Sequence, residues 1–288
     1  MRHEGSITEW DRISPVIGKA VGMSIKDGWM KRIETAVVPA AGRGSRMKPL
    51  TMFVPKEMFP LGSRPVIEHT IAELVSSGIN RICVVINKEK EVIRKYLLSR
   101  RNIYGDIKLE FVYQRAPLGL GDALWTAREF IDGTPFVMAL PDQILLSKRP
   151  ATRQLLEASK GGYGIWNSMV KISEDEMDFL KGSRPFRYTR KKGNVYLVRD
   201  FSIDENSRMR GFGRTVFLPE SLDYMTEEFM NPETGEVDLL RTFQALKNHF
   251  PLYGTVLRGR PCDIGTWEGY YFYQRNIFQY LRIMEKMG

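Results

Sequence analysis

Cysteine and histidine are scarce, with two and three residues in a chain of 288. Cys83 and Cys262 offer no disulfide framework. His3, His69 and His249 are far apart and show no ligand spacing, so a zinc centre is not expected. The cytoplasm is the natural compartment for such a sequence. No apolar run reaches the ~18 residues of a membrane-spanning helix. The first 34 residues also lack the continuous apolar core of a secretory signal, because Lys19 and Lys26 interrupt it. Residues 1–34 therefore read as an extension before the folded core. Two familiar phosphate loops are missing as well. The glycine-rich stretch near residue 42 lacks the third glycine of a dinucleotide fingerprint, and no Gly-Lys-Ser/Thr follows it.

What is present is the composition of a globular protein, 43% hydrophobic and 27% charged. From Ala36 to Leu146, short β-branched runs alternate with helical periodicity. Arg81–Asn87, Leu109–Gln114 and Pro135–Pro141 read as strands; Pro65–Val75, Glu89–Arg100 and Asp122–Phe130 read as helices. Gly78 sits where a helix C′ residue belongs. Such alternation predicts an α/β fold with a mainly parallel sheet, Rossmann-like, with helices on both faces. Ligands of these sheets bind beyond the carboxyl ends of the strands.

The most informative stretch runs from Ala36 to Met58, AVVPAAGRGSRMKPLTMFVPKEM. A buried-strand pattern ends at Pro39, and a loop with Gly42 and Gly44 follows. Glycines let backbone N–H groups approach phosphate oxygens. Arg46 and Lys56 add two fixed positive charges suited to a polyphosphate. Gly42–Met58 resembles the signature of nucleotide-sugar pyrophosphorylases (sugar-1-phosphate nucleotidyltransferases), the bacterial UTP–glucose-1-phosphate uridylyltransferases above all. Every fixed position of that pattern matches except Ser45, which keeps a hydroxyl.

The resemblance implies a nucleotidyltransferase fold with a smaller acceptor-binding lobe, and it implies roles. Ala40, Ala41, Gly42, Gly44 and Ser45 would line the nucleotide pocket. Gln114, Gly119 and Gly121, in QRAPLGLGDA, would hold the nucleobase. Asp142, at the tip of LPDQIL, and Asp263, in CDIGTWEGY, would hold Mg²⁺, which accepts one or two carboxylates alongside phosphate oxygens. Asp263 has a plainer alternative as the cap of a helix starting near Thr266. Arg46, Lys56 and Asp142 would be the catalytic residues. The boundaries implied are 35–147 for the nucleotide part, 148–262 for the acceptor part, and 263–288 for the metal aspartate and a last helix within the same globular unit. The aromatic-rich pattern of Tyr270–Met287 suits packing on its own domain; by resemblance it suits a homo-dimer or homo-tetramer contact.

The acceptor half departs from the family. Where relatives carry Tyr-Gly and then Val-Glu-Lys-Pro, this chain has Tyr188-Thr189 and Val198-Arg199-Asp200-Phe201. Carboxylate and cation remain in reversed order, which on a regular strand exchanges their faces. Tyr188, Arg199 and Arg214 are the acceptor-binding candidates. The window 181–214 also holds ten Lys/Arg against three acidic residues, most of the net charge of +9. A solvated face is the plain reading of such a run.

The expectation is therefore nucleotidyl transfer from UTP, or dTTP second, to a sugar 1-phosphate, with Mg²⁺ and without nucleic acid or membrane. Three alternatives stand beside it. The first is a silent relative that senses nucleotide or sugar phosphate. The second is an enzyme with a non-hexose phosphorylated acceptor. The third is a nucleic-acid binder using the basic window, which carries no recognisable module.

Overall fold

The computed structural model describes residues 33–160, 162–176, 187–200 and 207–287. The extension, apart from Ile33 and Glu34, lies outside the described residues, as do Lys181 and Arg184 of the basic window.

In chain order the strands are β1 (Thr35–Pro39), β2 (Pro60–Leu61), β3 (Arg64–Pro65), β4 (Arg81–Ile86), β5 (Lys108–Tyr113), β6 (Phe136–Ala139), β7 (Gln143–Leu146), β8 (Ile165–Lys171), β9 (Arg187–Lys192), β10 (Val195–Asp200), β11 (Met209–Phe217), β12 (Leu252–Val256) and β13 (Arg260–Asp263). The α-helices are α1 (Val66–Ser76), α2 (Glu91–Ser99), α3 (Leu120–Thr126), α4 (Arg128–Ile131), α5 (Ala151–Ser159), α6 (Leu239–Leu246) and α7 (Trp267–Met287). Nine strands form one sheet in the order β5-β4-β1-β6-β11-β8-β12-β10-β9. Its first four strands are parallel, as the alternation predicts. Beyond β6 the sheet is mixed, because β11 runs antiparallel to β6 and β8, and β10 antiparallel to β12 and β9. Residues 148–262 thus add strands to the same sheet, and the direction changes there were not visible in hydrophobic periodicity.

Both faces of β1 are covered, so all five of its residues are buried. Successive side chains point to opposite faces. Val37, Cys83 and Phe136 join one core with α3 and α6; Ala36, Val38 and Ile82 join another with α1 and α2. Cys83 is a core residue, and burial pushes its thiol up to about 12. Gly78 has a φ of 93°, the left-handed C′ conformation expected after α1.

A third cluster places the site. Met47, Phe59 and Leu61, from the loop after β1, pack with Ile144 of β7, Cys262 of β13, Ile264, and Tyr273 and Ile277 of α7. β7 and β13 form a separate two-stranded antiparallel sheet whose register sets Asp263 opposite Gln143.

One buried ion pair ties three elements together. Glu73 of α1 accepts from Arg214 Nε of β11 at 2.9 Å and from the Thr152 backbone N–H at 2.6 Å. It thereby caps the first turn of α5 with negative charge. Glu73→Gln removes the counter-charge of a guanidinium that is 1% exposed. The expected loss is about 3–5 kcal/mol by urea unfolding, with part of it recovered in Glu73→Leu/Arg214→Met. A single variant as stable as wild type would remove the clamp from this account.

Candidate active site

The loop after β1 leaves the sheet at Ala40 and crosses Gly42 and Gly44. Gly44 adopts a φ of 63°, and a Cβ there would come within 3.1 Å of Thr51, whose hydroxyl donates to the Gly44 carbonyl at 2.9 Å. Among the described residues, no group accepts from the N–H of Gly42, Arg43 or Gly44. Gly42 and Arg43 are exposed and Gly44 is half-buried, and backbone donors of this kind cradle phosphate. The carbonyls on the inner side are taken. Lys90 Nζ donates to the Ala40 carbonyl and to Glu57 Oε2, both at 2.8 Å, and Asn87 Nδ2 donates to the Ala41 carbonyl at 3.1 Å. Burial lowers the Lys90 pKa, against the pull of Glu57.

Two carboxylates and two cations converge at the end of β6 and the β7–β13 pair. Lys56 Nζ is hydrogen-bonded to Asp142 Oδ2. A Cβ added to Gly265 would lie 3.1 Å from each of Arg46 Nη2, Asp142 Oδ2 and Asp263 Oδ1. Gly265 therefore marks a small gap facing all three charged groups. Asp263 is oriented at both oxygens: Oδ1 accepts from the Gly265 N–H at 2.9 Å, and Oδ2 from Gln143 Nε2 at 3.1 Å. It does not cap α7; the Gly269 N–H goes instead to Thr266 Oγ1 at 3.2 Å. The backbone leading to Asp142 is held at three successive carbonyls. Leu140 accepts from Arg214 Nη1 at 3.0 Å, Pro141 from Thr70 Oγ1 at 3.3 Å, and Asp142 from the Ile264 N–H at 3.0 Å.

Electrostatics separates the two acids. Burial disfavours the Asp142 carboxylate, but the ammonium of Lys56 outweighs burial and holds its carboxyl below the usual range. The same contact keeps Lys56 raised despite its own burial. Asp263 is pushed from 3.8 up to about 6, first by burial and then by the charge of Asp142. Like charges in one dry site cannot both ionise freely.

Gln114 is buried after β5. Its Nε2 donates to the Gly119 carbonyl at 3.0 Å and to Asp122 Oδ2 at 2.6 Å. Gly119 and Gly121 follow, the residues that the resemblance assigns to the nucleobase. What a Cβ would meet at either is the 236–237 segment: Glu236 Cβ at 2.9 Å from Gly119, and Val237 Cγ1 at 2.5 Å from Gly121. Their small size docks that segment, with backbone bonds from Gly121 N–H to Val237 O and from Val237 N–H to Leu118 O.

The acceptor candidates do not converge. Arg214 is buried on Glu73 and Leu140, so it braces the Asp142 turn and is not available to a substrate, a correction to its expected role. The reason is that its strand lies inside the sheet, between β6 and β8. Tyr188 packs edge-on against Tyr196, with ring centroids 4.9 Å apart. Arg199 is exposed at a β-bulge, between the register pairs Val198–Tyr188 and Asp200–Arg187. That bulge breaks the regular alternation on which the reversed-order argument rested. Nor is the basic window all solvated face, because Arg210 and Arg214 are buried.

Sequence reading missed Gln143, Asp122 and the Glu57–Lys90 pair. Polar residues opening an apolar strand or sitting inside the signature were the available signals.

A family model described as nucleotidyl transferase matches residues 35–177. A putative UTP–glucose-1-phosphate uridylyltransferase of Bacillus subtilis (strain 168) is 30% identical over 260 residues, covering 83% of this chain and 94% of that protein. The chain belongs to the nucleotidyl transferase family. A second B. subtilis protein, UTP–glucose-1-phosphate uridylyltransferase, is 29% identical over 265 residues, covering 84% of this nucleotidyl transferase and 89% of its own length. The fold agrees with that of a UDP-glucose pyrophosphorylase complexed with UDP-glucose, at a TM-score of 0.77 and 22% identity, over 86% of this chain and 99% of that one. The expectation of an α/β nucleotidyltransferase is met. Among the described residues, no helix is long and apolar enough to cross a membrane.

The Asp263 shift has a sign that can be tested without substrate. A folded-state pKa raised to about 6 from 3.8 means that the folded protein holds the extra proton between those values. Stability from this group is full below the lower value and falls as pH rises through the upper one. In chelator, wild type should lose roughly 1–3 kcal/mol relative to Asp263→Asn from about pH 4.5 to 7.5. Any pH-independent offset reports the altered bond to Gln143. Parallel stability curves for the two proteins would contradict the like-charge explanation.

Proposed function

We propose that this nucleotidyl transferase moves a nucleoside monophosphate from a nucleoside triphosphate, UTP first and dTTP second, to a sugar 1-phosphate. Glucose 1-phosphate, or an unusual relative of it, is the acceptor. The observation that carries this reading is the meeting of Arg46, Lys56, Asp142 and Asp263 around Gly265, beside a loop of free backbone donors. The names of the relatives support the same chemistry.

An oxygen of the sugar phosphate dianion attacks the α-phosphorus of the triphosphate, the α–β bridge breaks, and pyrophosphate leaves. The dianion needs no general base. The task of the protein is to align the reactants and neutralise the accumulating charge. We assign Arg46 to the β and γ phosphates and Lys56 to the α-phosphate; the raised pKa of Lys56 keeps it charged. Ala40–Ser45 line the nucleotide side, within residues 35–147, and residues 148–262 supply the acceptor side.

Asp142 and Asp263 are the residues that would hold Mg²⁺. The fit rests on this structure: two buried carboxylates face one gap, and the proximity of Asp142 is a cause of the raised Asp263 pKa, a repulsion that a dication relieves. Among the described residues no third His, Cys, Asp or Glu joins them, which suits a cation that completes its shell with phosphate and water. When bound, Mg²⁺ supplies charge neutralisation at the phosphates.

A non-hexose acceptor is a second reading, favoured by Arg199 standing at a bulge with Thr189 in place of the family's glycine. A homo-dimer or homo-tetramer through α7 is supported by Tyr271 and Phe278, 59% and 62% exposed. Light scattering that gave a monomer at micromolar concentration would argue against it.

The test is pyrophosphate release with Mg²⁺ across nucleoside triphosphates and a panel of sugar 1-phosphates. UTP is expected to lead. Lys56→Ala is expected to lower turnover on the order of 10²-fold or more. A near-normal rate in that variant would remove Lys56 from the chemistry, and silence with every acceptor would count against the transfer itself.

A further inference from the structure

The orientation of the Gln114 amide is fixed by the chemistry of its partners. Its nitrogen sits 3.0 Å from the Gly119 carbonyl and 2.6 Å from Asp122 Oδ2. A carbonyl and a carboxylate can only accept, so the amide oxygen cannot occupy that position. Both amide hydrogens are therefore engaged within the protein. The one capacity that Gln114 retains for a ligand is its oxygen, an acceptor.

We propose that Asp122 is a positioning residue for base selection. It holds Gln114 so that only an acceptor is offered, which favours a pyrimidine with an N3–H donor over one with a bare N3. Uracil and thymine carry that donor. Cytosine presents a lone pair there, which would face the Gln114 oxygen unpaired. The inference rests on the reading of Gln114 as the residue that meets the base, and it deepens that reading by naming what sets the preference.

Two further features fit. The Gly119 carbonyl that shares the Gln114 amide is held by a backbone with φ 97°, and a Cβ there would collide with Glu236 and Val237. The second acceptor is therefore fixed by the docking of the 236–237 segment. Asp122 also lies in the first turn of α3, where a carboxylate stabilises a helix whatever the neighbouring amide does. That plainer role predicts an effect on stability and none on base preference, so the two roles separate experimentally.

The experiment compares kcat/KM for UTP and CTP in wild type, Asp122→Asn, Asp122→Ala and Gln114→Leu, using pyrophosphate release. Direct binding of the two nucleotides by calorimetry covers variants too slow to assay, and thermal unfolding checks folding. Wild type is expected to prefer UTP. Asp122→Ala should lower the UTP/CTP ratio on the order of tenfold, Asp122→Asn, which keeps one accepting oxygen, should lower it less, and Gln114→Leu should lower it as well. If the Asp122 variants keep the wild-type ratio while Gln114→Leu loses it, Gln114 meets the base but Asp122 does not set its edge, and the proposal fails alone. If Gln114→Leu also keeps the ratio, the base reading fails and takes the proposal with it. A wild type that accepts CTP as readily as UTP overturns the proposal outright.

Discussion

Two buried carboxylates sharing one gap is the constraint around which this molecule is arranged. Asp142 and Asp263 are brought together by the register of β7 and β13, and by the bond from the Ile264 N–H to the Asp142 carbonyl. Left alone, such a pair would repel and would draw in water or protons. The surrounding structure answers with charge and with bonds. Lys56 neutralises Asp142, Arg46 reaches the same gap, and Asp263 is pinned by Gln143 and the Gly265 N–H. The cluster of Met47, Phe59, Ile144, Cys262 and Tyr273 supplies the apolar backing that keeps these groups in register.

Around that centre runs a ring of supports drawn from distant parts of the chain. Gln143 connects Asp263 to the Gly213 N–H at 2.6 Å. Arg214, the next residue, braces Leu140 and pairs with Glu73, which in turn caps α5. Helix, strand and the Asp142 turn are thus linked through four side chains. The Arg214 guanidinium does for the backbone what the sequence reading assigned it to do for a substrate.

The nucleotide half was legible because its signals are local. A strand, a glycine loop and two cations in fixed register make Gly42–Met58 readable residue by residue, and Asp142 stands out at the tip of an apolar strand. The pairing of Asp263 with it came only through resemblance, since 121 positions separate the two and periodicity carries no tertiary information. The role of Arg214 was misread, and the neighbours that Gly119 and Gly121 pack against were not foreseen, for one reason. Smallness and charge are visible in a sequence, but the partner that uses them is not: Val237 in one case and Glu73 in the other. At Arg199 a bulge defeated an argument that assumed strict alternation, and bulges leave little trace in composition.

The contact of Gly119 and Gly121 with Val237 bears on how this fold can be divided. The loop that carries Gln114 rests on a turn contributed from the other half of the chain, more than a hundred residues later. Residues 35–147 are therefore not a transplantable module, although their strands are contiguous in sequence. A hybrid made by exchanging the later residues between relatives would inherit a foreign floor beneath the Gln114 loop. The setting of that glutamine would then depend on a segment from the exchanged part.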